Sequence, residues 1–417
     1  MMNRLLCVNL VMLMLLVLGM SACASESEQG TESRTKSIPK NKKPENGTSE
    51  NTTQKSYVVN LFVENSGSMA GYVSQGNEFD ASLNNIITSI VVSGFAEQSD
   101  INLYYINTKT YLQNCDIASF IKGIKNNVNA PTTNIAKLHE LVLSNTGKDT
   151  LSLLVSDLII SPGRGNNAST VVNTEKGNIT RALSGIIKKR NLAVAVYRLN
   201  SHFIGTYYDC VDARRQINNV RPFFIMAFGD KNVIESFRNK VPASKIGNVK
   251  NSHVFFKYPS ATPKYAVQSV GNAERYDSKT IKGAKLDDGK YKFTVGVDLS
   301  GLKLLGNYLV DKSNYSTSNK AYIIEKVEKK QGVGTTHLIY VSTTQRISPT
   351  SLSIKLKNTI PQWISKYNID VNDCDKIFDD GNMDKTYGIK AIMDAINDAY
   401  NYDSEKSLTE IKISINQ

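Results

Sequence analysis

Glu64, Ser66 and Ser68 place three oxygen-bearing side chains in one short segment of the chain. The segment follows an apolar run at residues 57–63, whose pattern predicts a buried strand. Hard divalent cations such as Mg²⁺ take oxygen ligands in a near-octahedral shell and usually keep some waters. The residue types therefore suit a cation, although a plain Ser/Gly turn after a strand has the same composition.

Two later segments carry further oxygen-bearing side chains. Thr133 and Asn134 open a helical pattern, and the apolar strand pattern at residues 151–156 ends in Asp157. In α/β folds, ligands bind in the crevice outside the carboxyl ends of the strands. We therefore expect Asp157 and the Glu64 segment to meet at one edge of a sheet.

In order and spacing, these segments resemble the von Willebrand factor A domain and its metal-ion-dependent adhesion site, written Asp-x-Ser-x-Ser. The resemblance implies that Ser66, Ser68 and Thr133 ligate Mg²⁺ or Mn²⁺ through their hydroxyls. It implies that Glu64 and Asp157 act mainly through water or as acceptors behind the ligands. It also implies that the open coordination position takes a carboxylate from a partner protein.

Glu64 departs from this pattern, because the family has aspartate at that position. Glutamate is one methylene longer. It would therefore ligate the cation directly, displace a water ligand, or block the open position. These three alternatives lead to different metal affinities for the same fold.

The elements that would position these side chains alternate between strand and helix over residues 57–250. This alternation predicts a doubly wound, mainly parallel α/β sheet, and its count and order agree with the A-domain fold. The helix patterns lie at residues 79–92, 117–128, 135–143, 178–190 and 231–240, and the later strands at residues 101–106, 192–199 and 221–229.

Residues 251–417 follow a different pattern and predict a β-rich C-terminal domain of no family that we recognise. Residues 291–298 alternate strictly between apolar and polar side chains, as a half-buried strand does. Helix patterns are appended at residues 360–367 and 389–401.

The N-terminus has the features of a bacterial lipoprotein. Residues 1–22 form a signal peptide with an apolar core, and the small residues before Cys23 resemble a lipobox. The resemblance implies cleavage before Cys23 and lipidation of its sulfur, with simple secretion and a free thiol as the alternative. Residues 23–56 are polar and predict a flexible tether. We expect a lipid-anchored protein of the cell envelope, at the outer membrane or the cell surface.

Charge and cysteine content exclude other classes of function. The 417 residues contain 50 Lys and Arg against 38 Asp and Glu, a net charge of +12 that is spread along the chain. No dense basic run predicts nucleic-acid binding, and we read the charge as favouring solubility and attraction to anionic surfaces. Cys115, Cys210 and Cys374 fit neither a metal motif nor a disulfide framework, and at most one pair can form among them.

The sequence thus predicts a binding protein rather than an enzyme, with a protein partner at the metal face. The alternative is a scaffold or accessory subunit of an envelope assembly, in which the site is degenerate and structural. A hydrolase with Ser66 or Ser68 as nucleophile is disfavoured, because no Gly-x-Ser-x-Gly elbow and no suitably placed histidine accompany them.

Overall fold

The structure is a computed structural model that describes residues 56–73, 76–127, 134–209, 214–258, 262–330, 332, 334–379, 381–401 and 407–417. The predicted signal peptide, Cys23, nearly all of the tether, Thr133 and Cys210 lie outside these residues, as does the side chain of Cys374. Cys115 is exposed and unpaired. No helix within the described ranges is long and apolar enough to cross a membrane.

A seven-stranded sheet forms the first part of the fold, in the order β3-β2-β1-β4-β6-β5-β7. Its strands are β1 (Val58–Glu64), β2 (Ile101–Ile106), β3 (Thr110–Gln113), β4 (Thr150–Ser156), β5 (Leu192–Tyr208), β6 (Arg214–Asp230) and β7 (Asn251–Phe256). β7 begins at Asn251, just after residue 250, where the sequence predicted the first domain to end.

The sheet is mixed, with its parallel pairs confined to β2, β1 and β4. Helical crossovers connect these three strands, as parallel pairing requires. β5 and β6 are joined by the short connection at residues 209–213, so they must run antiparallel. It is β6, rather than β5, that pairs with β4. The predicted α/β class is therefore confirmed, while the parallel arrangement ends at β4.

Helices cover both faces of this sheet. They are α1 (Glu78–Val92), α2 (Ile117–Asn127), α3 (Ile135–Ser144), α4 (Ala168–Ile187), α5 (Lys231–Lys240), α6 (Ala243–Ile246), α7 (Gln362–Lys366) and α8 (Ile389–Asn401). The apolar sides of α1, α2 and α5 pack on one face of the sheet, and those of α3, α4 and α8 on the other. Adjacent β1 residues divide accordingly, because Leu61 faces the first layer and Phe62 the second.

The predicted helices are all present, with one marked difference in length. α4 begins at Ala168, ten residues before its predicted start at 178. Asn167 caps it, since its side chain accepts a hydrogen bond of 2.9 Å from the Thr170 N–H. Residues 168–177 are mostly polar and include Gly177. They lack the apolar period that marks a helix in a sequence.

The C-terminal part is rich in strands, as predicted. Its strands are β8 (Tyr265–Ser269), β9 (Glu274–Arg275), β10 (Thr280–Lys282), β11 (Tyr291–Val297), β12 (Tyr315–Thr317), β13 (Ile323–Lys329), β14 (His337–Thr343), β15 (Thr350–Lys357), β16 (Asn368–Ile369), β17 (Thr386–Tyr387) and β18 (Ser407–Ile415). They form sheets in the orders β12-β15-β18-β10-β9, β13-β14-β11-β8 and β16-β17.

The C-terminal part and the first sheet pack together within one compact unit, residues 54–417. α8 lies against α4, where the Thr180 hydroxyl donates to the Ala395 carbonyl at 3.1 Å. Lys176 and Asp398 form an ion pair of 2.9 Å between the same two helices. The end of the chain thus contributes a helix to the second layer of the seven-stranded sheet.

Candidate functional site

The carboxyl ends of β1 and β4 define the candidate site. The two strands pair in parallel with Val63 opposite Val155. Glu64 and Asp157 therefore leave the sheet at the same edge, as expected from the sequence. Both side chains are buried, each with 2% of its surface exposed.

The serine loop follows β1 as a 3₁₀ segment, Gly67–Tyr72. The Ser66 and Ser68 hydroxyl oxygens lie 3.0 Å apart and share a hydrogen bond. The Met69 N–H donates to the Ser66 carbonyl at 3.1 Å, and Met69 is itself fully buried. The loop is thus anchored in the core, and it holds the two hydroxyls side by side.

Glu64 reaches across the sheet to β4. Its carboxylate accepts a hydrogen bond from the Ser156 hydroxyl. The Ser156 oxygen in turn accepts from the Leu158 N–H at 2.8 Å. Leu158 has a positive φ of 53°, so this chain of bonds holds the turn after β4 in a conformation that is uncommon for a branched side chain.

Asp157 has one satisfied and one unsatisfied oxygen. Oδ1 accepts from the Ile159 N–H at 3.1 Å, while Oδ2 is buried and has no hydrogen-bond partner among the described residues. Burial raises the pKa of this carboxyl, against the opposing effects of the Ile159 N–H, the Ser68 hydroxyl and Arg221. Buried polar atoms are nearly always paired, so Oδ2 suits a water or a cation.

Thr133 lies outside the described residues, but the helix that it precedes is well fixed. Asn134 caps α3, with Oδ1 accepting from the Lys137 N–H at 2.7 Å. The Glu175 carboxylate accepts from the Asn134 side chain and from the Ala136 N–H, the latter at 2.7 Å. Burial raises the pKa of Glu175, against these same hydrogen bonds.

A cleft of about 270 Å³ lies beside this helix start. Ile160 and Pro162, from the loop that follows Asp157, line it together with Asn134 and Glu175. The loop at residues 161–167 therefore borders this cleft.

Sequence reasoning missed Arg221, which is 99% buried near Asp157. Its Nη1 donates to the Met383 carbonyl at 2.7 Å, and its guanidinium lies 4.5 Å from the centre of the Tyr207 ring. Nε and Nη2 have no partner among the described residues, and Arg221 forms no ion pair with Asp157. The available signal was an arginine within the apolar strand pattern at residues 221–229. A charged side chain that such a strand carries into the core is seldom fully buried without a partner.

A second buried arginine, Arg198, holds the same C-terminal segment. Its Nη2 donates to the Asp384 carbonyl at 2.8 Å, and its guanidinium lies 3.6 Å from the centre of the Tyr367 ring. Burial lowers the pKa of this guanidinium. Arg198 and Arg221 together tie residues 383–384 to the end of the sheet.

The side-chain oxygens at this site are the type of ligand that a hard cation takes. No group of three or more His, Cys, Asp or Glu side chains within the described ranges is placed to hold a metal. A cation would instead depend on the Ser66 and Ser68 hydroxyls as ligands, with the unsatisfied Asp157 oxygen pairing with its waters. Oxygen ligands are the type that Mg²⁺ and Mn²⁺ prefer. The nearby positive charge of Arg221 opposes a cation and lowers the affinity of the site.

Comparison of the chain with known protein families and with curated proteins finds no match. The geometry of the site therefore carries the functional argument by itself.

Proposed function

We propose that this chain is a lipid-anchored protein of the bacterial envelope that binds a protein partner at the carboxyl edge of its seven-stranded sheet. The observation that carries this proposal is the unsatisfied, buried Oδ2 of Asp157 beside the hydroxyl pair of Ser66 and Ser68. The Ser68 hydroxyl is close enough to lower the pKa of this carboxyl, yet Oδ2 accepts no hydrogen bond of ordinary geometry from the described residues. Burying such an atom costs free energy unless a ligand pairs with it.

In this proposal Mg²⁺ or Mn²⁺ is the ligand, and it supplies a bridge to a carboxylate of the partner. Ser66 and Ser68 would hold it directly, with Thr133 as a third hydroxyl. Asp157 and Glu64 would orient the waters around it. The Glu64 carboxylate already accepts a hydrogen bond from Ser156, which supports a role for Glu64 in bonding the cation's waters rather than the cation itself.

We also propose that the first sheet is a variant of the A-domain fold. The order β3-β2-β1-β4, with β3 antiparallel at the edge, supports this assignment, as does the serine loop at the end of β1. The variation is the insertion of β6 between β4 and β5. Anchoring rests on Cys23 and the polar tether, which are features of the sequence.

The test is thermal unfolding of the purified protein in EDTA, in Mg²⁺ and in Mn²⁺. A ligand present at about a hundred times its Kd stabilises the folded state by about 2.7 kcal/mol, and the effect grows with concentration. We expect this response in the wild type and none in Asp157→Asn, which keeps the shape of the side chain. Equal responses in the two proteins would remove Asp157 from the site.

A scaffold role without metal is the second candidate, and Arg221 is the observation that favours it. Its guanidinium already places a positive charge near Asp157. Pull-down from native membranes, with and without chelator, separates the two roles. A partner recovered only with metal supports adhesion, and a partner recovered equally in both conditions supports the scaffold.

A further inference from the structure

The hairpin of β5 and β6 extends well beyond the sheet. β5 pairs with β7 only as far as Arg198, and β6 pairs with β4 only from Phe224 onward. The two strands nevertheless stay paired with each other, without a register shift, to Tyr208 opposite Arg214. Residues 199–208 and 214–223 therefore form a two-stranded arm, which rises past the edge where Asp157 lies.

The β5 side of this arm is covered. A Cβ on Gly205 would lie 2.8 Å from the Gly71 Cα, so the arm and the serine loop are in close backbone contact. Phe203 is buried edge-on against Tyr72, with ring centres 4.9 Å apart. The outward backbone groups of His202 are also occupied, since its N–H donates to the Glu78 carboxylate at 3.0 Å and its carbonyl accepts from Asn77.

The β6 side is open. The Lys231 N–H donates to the carbonyl of Asn191, the residue opposite it at the start of β5. Because hydrogen-bonded pairs alternate along an antiparallel ladder, the odd-numbered residues of β6 are the ones that bond to β5. The even-numbered residues therefore direct their N–H and C=O groups to the outer edge. Those of Arg214, Gln216 and Asn218 have no hydrogen-bond partner among the described residues, and all three side chains are exposed.

Two features bound this edge on the side of the sheet. The Val220 N–H is taken by the Asn219 side chain at 2.7 Å. Pro222 occupies the next outward position, where it has no N–H to leave unpaired, and its carbonyl accepts from the Tyr72 hydroxyl at 2.5 Å. The available edge is thus residues 214–220, a length that suits a short extended segment.

Charge indicates the kind of segment. Arg214 and Arg215 are both exposed, and neither forms an ion pair within the described residues. Their guanidiniums lie over the rings of Tyr208 and Phe378, at 5.4 Å and 4.1 Å, and no carboxylate of the described residues pairs with either. Val220, with 45% of its surface exposed, adds an apolar contact on the same strand.

We infer that the outer edge of β6 at residues 214–220 is a strand-addition site for an extended, acidic segment of a partner protein. Main-chain hydrogen bonds to Arg214, Gln216 and Asn218 supply affinity, and the two arginines select acidic side chains. The inference rests on the proposed binding function and says how the partner lies. A strand added to this edge of β6 lies in line with β4, which pairs with the same edge of β6 from Phe224 onward. Its end therefore points toward Asp157, which follows β4.

The experiment uses the full lipid-anchored chain in detergent with two labelled octapeptides as probes, one alternating threonine and glutamate and one alternating threonine and lysine. Binding is measured by fluorescence anisotropy, and backbone protection by amide hydrogen exchange. We expect the glutamate peptide to bind at least about tenfold more tightly than the lysine peptide, and to slow exchange at residues 214–220.

Gln216→Pro tests the backbone bond, because it removes an outward N–H as Pro222 already does naturally. We expect it to weaken binding of the glutamate peptide at least about tenfold, whereas the matched control Gln216→Ala keeps the N–H and keeps the binding. Absence of glutamate-peptide binding at millimolar concentration, equal binding of both peptides, or full binding by folded Gln216→Pro each overturns the inference. If Gln216→Pro does not fold, the double change Arg214→Glu and Arg215→Glu decides, since it must reverse the peptide preference.

Asp157→Asn separates this inference from the metal proposal. We expect the variant to lose the metal response while it still binds the glutamate peptide in EDTA. If the wild type binds the glutamate peptide but does not respond to metal, the metal proposal is overturned and the strand-addition site stands. If the wild type responds to metal but does not bind the glutamate peptide, the strand-addition site is overturned and the metal proposal stands.

Discussion

The Ser156 hydroxyl donates to the Glu64 carboxylate, which joins the last residue of β4 to the last residue of β1. The bond fixes the glutamate in the position where the A-domain pattern has aspartate. An aspartate is one methylene shorter, so its carboxylate would be drawn back from Ser156. The Glu64 side chain therefore joins the two strand ends at the edge where the candidate site lies.

Glu64→Asp should accordingly lower the stability of the protein without lowering its response to metal. We expect a loss of about 1–3 kcal/mol in chelator, because the Ser156 hydroxyl loses a buried acceptor. We expect the stabilisation by Mg²⁺ or Mn²⁺ to be kept or to increase. Thermal unfolding with and without metal measures both. A response in Glu64→Asp alone would show that the glutamate closes the site, and no response in either protein would exclude a metal.

Gly71→Ala should destabilise the arm. A Cβ at Gly71 would overlap the Phe203 ring, and such overpacking costs about 1–3 kcal/mol. Gly177→Ala is the matched control, because nothing lies within 4 Å of its Cβ position in α4. There we expect a gain of about 0.5–1 kcal/mol from helix propensity. Urea unfolding of both variants checks the contrast, and equal effects would contradict the close contact.

Arg221→Gln should cost about 1–3 kcal/mol, because the Met383 carbonyl loses its charged hydrogen-bond donor in a buried position. Arg181→Gln on the exposed side of α4 should change stability by less than about 0.5 kcal/mol. Chemical unfolding compares the two variants. A small effect at Arg221 would mean that the C-terminal segment does not depend on this contact.

Stability should fall between pH 6.5 and pH 4, in part through His139. This side chain is fully buried in α3 against Phe228, and desolvation lowers its pKa to about 4. The unfolded chain binds the proton more tightly than the folded protein, so stability is complete above the unfolded pKa and is lost as the pH falls. The loss at pH 4 is about 3 kcal/mol. His139→Phe should flatten this slope in urea unfolding, and an unchanged slope would contradict the assignment.

If Cys23 carries the proposed lipid anchor, Cys23→Ser should release the protein from membranes or leave the predicted signal peptide uncleaved, because acyl chains would supply the anchoring free energy. Fractionation of cells and mass spectrometry of the product measure the outcome. Mature, membrane-bound protein of unchanged mass would show that the anchor lies elsewhere.

The sequence predicted the elements whose signals are local. α8 was placed at residues 389–401 as observed, because its apolar side repeats at helical spacing. The convergence of Glu64 and Asp157 was also predictable, since parallel strands joined by helices bring their carboxyl ends to one edge.

The position of β6 could not be predicted in this way. Strand order depends on contacts between distant residues, and β5 and β6 have the same apolar pattern whichever of them borders β4. The role of Arg221 was hidden for a related reason, because its partners near residue 383 belong to a distant part of the chain. Pro222 occupies an outward position of the hairpin arm, but the sequence does not show which way a strand residue faces until the strand pairing is known.

The packing of α8 on α4 has a consequence for the order in which the protein can mature. If the chain is exported unfolded, as its leader predicts, the first sheet emerges long before α8 does. Until then the apolar side chains that α8 covers, and the buried arginines that bond to residues 383–384, face water. Assembly of the candidate site would therefore wait until residues 383–401 have emerged. A chain that ended before α8 would leave that apolar sheet face exposed to water.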